Sequence, residues 1–148
     1  HSFEDRKDVF YCSIHENPAV CYPGTGFQNE TGVGEGKGYT LNVPMRSFSG
    51  DDEYLQVLEE TFIPAWKAFE PEIVLISAGY DAHRDDPLAR INITEATYRA
   101  YIETLSQIAA EFSSGKLVIF LEGGYNLEVI PSLALMHLKI LQAAAQML

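Results

Sequence analysis

Three short apolar runs constrain this chain more than any other feature. Val9–Ile14 (VFYCSI), Ile73–Ser77 (IVLIS) and Leu117–Leu121 (LVIFL) are continuous and rich in β-branched or aromatic side chains. Runs without polar alternation predict strands covered on both faces, as in a parallel sheet. Thr40–Val43 is a weaker fourth candidate, stopped by Pro44. Between the runs the apolar period becomes helical. In Asp51–Phe69, residues Leu55, Leu58, Phe62, Trp66 and Phe69 share one helix face, with Asp51 and Asp52 at its positive N-terminal end. Pro64 should kink or break that helix. A second helix is expected over Thr94–Phe112, capped by Asn92 or Thr94 and ended by Ser113-Ser114-Gly115. A last one runs from about Glu128, with Pro131 in its first turn, and carries Leu133, Met136, Leu138, Ile140 and Leu141.

Strands alternating with helices predict an α/β fold: a mainly parallel sheet with right-handed crossovers in a three-layer α/β/α arrangement. No repeat or low-complexity linker divides the chain, so 1–148 reads as a single unit. Its 148 residues suit one domain of ordinary size, or part of a larger one. The net charge of −11 disfavours nucleic-acid binding through a broad basic face. No apolar run approaches the roughly 18–20 residues of a membrane span. Cys12 and Cys21 are too few for a disulfide framework, and a cytoplasmic location is expected.

In parallel α/β sheets, ligands bind beyond the carboxyl ends of the strands. The loops leaving those ends are His15–Tyr39, Ala78–Ile93 and Glu122–Leu127. The first holds Gly32, Gly34, Gly36 and Gly38. Neither a Walker pattern nor a dinucleotide fingerprint fits their spacing. Alternating glycines suit instead a tight loop whose backbone runs close to another surface. In the second loop, Asp81 and His83 could ligate zinc or another divalent ion. The alternative is a solvated charged loop, with Asp86-Pro87 as a turn. In the third, Gly123-Gly124 allows a sharp turn that offers Tyr125 at the same edge as Asp81. A phenol, with a pKa of about 10, stays protonated near neutrality and can donate to a developing oxyanion. His15 stands at the right edge for function or structure, whereas His137 and Trp66 read as packing residues. No Ser-His-Asp or Cys-His arrangement is present.

The strings SAGYDAHRDDPL (77–88), LEGGYNL (121–127), YPGTG (22–26) and GEGKGYTLNVP (34–44) together resemble the histone deacetylase family. The flavour is that of class II enzymes and bacterial relatives, including acetylpolyamine amidohydrolases. The resemblance covers essentially the whole chain but only the C-terminal half of that family's catalytic domain. It implies an arginase-like α/β fold, here incomplete, and removal of acyl groups from amines with one zinc ion. By the same resemblance Asp81 is a zinc ligand, and His83 matches a position that is not one. Tyr125 is the catalytic tyrosine, Tyr22 an aromatic wall of the acyl-lysine tunnel, and Gly123 and Gly124 its backbone lining. Ser13 and Ile14 match one site for a monovalent cation (K or Na), and Phe3, Arg6, Val9 and Tyr39 match a second. The family's remaining zinc ligands and its His-His general base and acid lie N-terminal to everything in this chain. Two expectations follow. One is a deacetylase acting on acetyl-lysine proteins or acetylpolyamines. The other is a non-catalytic fragment that associates with a missing half, or with itself, through an exposed sheet edge.

Overall fold

In the computed structural model, which describes residues 2–146, all four expected strands form and all pairing is parallel. The order is β1 (Tyr11–Glu16), β2 (Thr40–Met45), α1 (Asp51–Val57), α2 (Ile63–Phe69), β3 (Val74–Ala78), α3 (Glu95–Phe112), β4 (Leu117–Leu121) and α4 (Ile130–Ala145). Among the described residues, β1 pairs with β2 and β3 with β4, and the chain divides into two compact units, His1–Ser47 and Phe48–Leu148. The fold is α/β with parallel strands, as the alternation of periods predicts.

In the first unit, Tyr11 to Glu16 lie opposite Thr40 to Met45. Pro44 does not stop β2, contrary to expectation. The end bonds of the ladder, Tyr11 N–H to Tyr39 O (2.9 Å) and Asn17 N–H to Met45 O (2.8 Å), assign the odd-numbered residues of β2 to the bonds with β1. Pro44 is even-numbered, so its missing N–H falls on the side away from β1, where proline is tolerated. The glycine-rich loop folds tightly, as expected. Val33 N–H donates to Glu4 O at 2.7 Å, and Gly36 leaves no room for a Cβ against the backbone of Glu4–Arg6.

In the second unit, the break anticipated at Pro64 is a π turn, Leu58–Phe62, between α1 and α2. The helix widens just before the residue that cannot donate, and Pro64 enters the first turn of α2. Of the expected face, Leu58 and Phe62 are buried and Leu55, Trp66 and Phe69 half-buried, and Tyr54 joins the buried set. A strict four-residue spacing overshoots a straight α-helix by roughly 40° per step, and a wider turn absorbs that excess. Phe62 then meets Trp66 (5.3 Å between ring centroids) and Tyr101 edge-on (6.3 Å).

Helix α3 begins one residue after Thr94, whose hydroxyl accepts from Ala96 N–H at 3.2 Å. It buries Ile102, Ile108 and Ala109. Ile108 and Ala109 pack on Val74, with Ile76, Leu105, Phe112, Leu117 and Trp66 around them. Each large apolar side chain buried there is worth roughly 1.5–3 kcal/mol. The expectation of two covered faces holds for one face only. Val74, Ile76, Leu117 and Ile119 turn inward, while Leu75 (63% exposed), Val118 (42%) and Phe120 (52%) face solvent. A sequence apolar on both faces thus forms a two-stranded ladder that the second unit covers from one side.

Candidate active site

The parallel register of β3 and β4 brings the ends of both strands together, with Ala78 opposite Leu121. Pairing continues past the strands: Glu122 N–H donates to Ala78 O (3.0 Å) and Tyr80 N–H to Gly123 O (2.8 Å). Residues 79–81 and 122–125 therefore run side by side. Asp81 lies against this seam, and a Cβ added at Gly123 would stand 3.1 Å from its Oδ1. Gly124 has φ +135°, and a Cβ there would stand 3.0 Å from Cβ of Tyr80. The glycine pair is thus required by close approach at one position and by backbone conformation at the next. Burial raises the pKa of the Asp81 carboxyl; its own backbone N–H partly offsets this, and the negative Asp86 adds to it. A half-buried carboxylate of this kind gains from a cation placed against it.

Tyr125 is held by its backbone. Its N–H donates to Asp86 Oδ2 at 2.8 Å, and Asn126 Nδ2 donates to Asp85 O at 2.8 Å. The other oxygen of Asp86 accepts from Leu88 N–H (2.9 Å) and Ala89 N–H (3.2 Å). The Tyr125 side chain stays half exposed (52%).

His83 is buried against α3. Its Nδ1 accepts from Asp85 N–H (3.2 Å), its Nε2 lies 3.6 Å from Glu95 Oε1, and its ring stacks on Tyr98 (6.4 Å, 21°). The bare Asp-x-His spacing left His83 open as a ligand, whereas its ring engages α3. Tyr80 and His137, 57 residues apart, form a buried pair with Tyr80 Oη 2.9 Å from His137 Nδ1. Burial lowers the pKa of His137. Periodicity identified His137 as a packing residue, but no spacing rule joins it to Tyr80.

The remaining candidates belong to the first unit. Tyr22 is almost fully exposed (95%) and borders a cleft of about 750 Å³ that Ser13, His15, Glu30 and Asn42 also line. His15 ties this loop to β1: its Nδ1 is 2.7 Å from Ser13 Oγ and its Nε2 is 2.9 Å from Gly26 O. Ser13 and Ile14 sit in β1. Phe3, Arg6 and Val9 precede that strand, and Tyr39 precedes β2. The carbonyls of Phe3 and Tyr39 accept the N–H groups of Arg6 (3.1 Å) and Tyr11 (2.9 Å).

The family model for the histone deacetylase domain matches residues 1–141. The chain belongs to the histone deacetylase family. It is 44% identical over 131 residues to "Histone deacetylase 14, chloroplastic" of Arabidopsis thaliana, covering 88% of this chain and 30% of that protein. It is 34% identical over 128 residues to "Histone deacetylase-like amidohydrolase" of Pseudomonas aeruginosa, covering 85% of this chain and 33% of that one. Among solved structures, the HDA15 HD domain superposes with a TM-score of 0.87 at 39% identity, over 94% of this chain and 38% of that one. The acetylpolyamine aminohydrolase of Burkholderia pseudomallei gives 0.84 at 31%, over 96% of this chain and 40% of that one. The deacetylase-type fold is therefore present, and the chain spans about a third of the length of the curated relatives it matches.

The family implies a metal. Among the described residues, no group of three or more His, Cys, Asp or Glu side chains could hold one. Asp81 fits as a single hard-oxygen ligand, because its half-buried carboxylate is partly desolvated and gains from a neighbouring cation. Any further ligands would have to come from groups other than these.

Proposed function

We propose that this chain carries the Asp81–Tyr125 side of a zinc-dependent deacetylase centre that removes an acetyl group from an amine. Acetyl-lysine in a protein and an acetylpolyamine are the two substrate classes it would serve. The observation that carries the reading is the seam between the β3 and β4 loops, where Asp81 packs against Gly123 and the Tyr125 backbone, two residues on, is bonded to Asp86 of the same loop as Asp81. Zinc, when bound, polarises an amide carbonyl and lowers the pKa of water. Asp81 supplies one of its ligands. Tyr125 donates its phenolic O–H to the carbonyl oxygen as negative charge gathers there, and gives more to the transition state than to the substrate. Gly123 and Gly124 present bare backbone, leaving width for an acyl chain. Ser13 and Ile14, and separately Phe3, Arg6, Val9 and Tyr39, are proposed to hold K or Na through a hydroxyl and backbone carbonyls.

In a catalytically complete protein carrying this chain, acetate release from acetyl-lysine peptide and from acetylspermidine tests the reading. The wild type is expected to act on at least one of them. Asp81→Ala is expected to lose both metal and activity. Full metal content and full rate in that variant would overturn it.

A second reading has its own observation. Leu75, Val118 and Phe120 expose one apolar face of the β3–β4 ladder. Such a face favours association with a complementary half or with another copy. In isolation the chain would then act as a binding fragment in a cytoplasmic setting, without catalysis.

A further inference from the structure

The Asp86 carboxylate stands between the two loops of the site and uses both oxygens. Oδ1 takes the N–H groups of Leu88 and Ala89 and closes the turn that follows Asp86. Oδ2 takes the N–H of Tyr125, 39 residues away, at 2.8 Å. A charge-assisted bond to a backbone amide is short and directional, and roughly twice as strong as a neutral one. The amide it fixes belongs to the residue after Gly123-Gly124, a pair that by itself lets the chain turn freely. Beyond Tyr125, Asn126 adds a second bond to the same loop through Asp85 O. The loop carrying Tyr125 is therefore pinned to the loop carrying Asp81 at the residue whose placement matters most.

We propose that Asp86 is a positioning residue that fixes the Tyr125 backbone, and with it the direction of the phenol, relative to Asp81. It touches neither metal nor substrate. The inference rests on the functional reading of Tyr125 given above. A displacement of about 1 Å at a group that meets the transition state can cost up to 10²-fold in rate, so loss of this bond should lower kcat while leaving substrate affinity largely intact.

The test uses Asp86→Asn and Asp86→Ala in the catalytically complete protein, each also combined with Tyr125→Phe. The first readout is hydrogen exchange at the Tyr125 amide. It is expected to accelerate in at least one of the two variants, and unchanged exchange in both would overturn the proposal without reference to activity. In the variant with accelerated exchange, kcat is expected to fall about tenfold or more, with KM within about twofold and metal content unchanged. In the Tyr125→Phe background the same substitution should produce no further loss, because the phenol it positions is gone. A normal kcat despite a released amide overturns the proposal. An equal loss in the Tyr125→Phe background also overturns it, since Asp86 would then act through something other than Tyr125. A silent Tyr125→Phe at full metal content strikes the functional reading instead, and leaves the exchange result to decide whether Asp86 holds the loop.

Discussion

At the scale of single residues, Asp81 and Tyr125 stand out in the sequence as candidates because each sits on a short, unusual string directly after an apolar run. The structure brings those strings together through the register of β3 and β4. Asp86 was legible only as a turn residue. An acceptor for an amide 39 positions away leaves no pattern in the chain. Tyr80 and His137 show the same limit, since side chains 57 residues apart pair through tertiary packing alone. That pair makes a pH prediction. Burial lowers the folded pKa of His137 below the usual value of about 6.5. The unfolded chain therefore binds more protons in the window just below that value, and stability falls as pH drops from about 6.5 towards the folded pKa. Urea unfolding between pH 7.5 and 5.5 should show this loss in the wild type and a shallower loss in His137→Phe. Equal slopes would mean His137 is not held neutral by the fold. Asp81→Asn keeps the shape of the residue and removes its charge, so elemental analysis of the complete protein should find metal content well below that of wild type.

At the scale of elements, Asp51 does more than decorate a helix start. Its Oδ1 accepts from Thr94 N–H (2.7 Å) and Thr97 Oγ1 (2.6 Å), and its Oδ2 accepts from Thr94 Oγ1 (2.8 Å). One carboxylate at the first residue of α1 thus fastens the N-terminus of α3. Burial raises its pKa, but the bonds from Thr97 and Thr94 outweigh that, and the net shift is downward. A depressed carboxyl contributes stability above its unfolded pKa, near 3.9, and the contribution is lost as pH falls through the lower folded value. Asp51→Ala should cost about 1–2 kcal/mol near neutrality, measured by denaturant unfolding. It should also flatten the acid limb, and an unchanged midpoint both near neutrality and below the unfolded pKa would show that α1 and α3 do not depend on this link. The elements themselves were mostly readable. The cap at Thr94, the end of α3 after Phe112 and the whole of β4 follow from local signals. Two departures have physical reasons that local pattern does not carry. The π turn before Pro64 reflects a four-residue burial spacing, and β2 passes Pro44 because the partner-free side of the strand faces that nitrogen.

At the scale of the whole molecule, the chain covers about a third of its curated relatives, and its surface is consistent with that share. A sequence apolar on both faces of β3 and β4 implies more covering structure than the second unit supplies. The exposed Leu75, Val118 and Phe120 are the residue-level trace of the difference. Sedimentation of the isolated chain should therefore depend on concentration, and Val118→Lys with Phe120→Lys should weaken that dependence. A wild type that stays monomeric at every concentration would remove this face as an association surface. The central claim concerns chemistry, namely that Tyr125 stabilises the oxyanion beside a metal that Asp81 helps to hold. The measurement that tests it most directly is kcat for Tyr125→Phe against wild type, in the catalytically complete protein at matched metal content. Loss of one oxyanion donor should lower kcat by about 10²–10³-fold with metal retained; a Phe variant turning over at the wild-type rate would contradict the account.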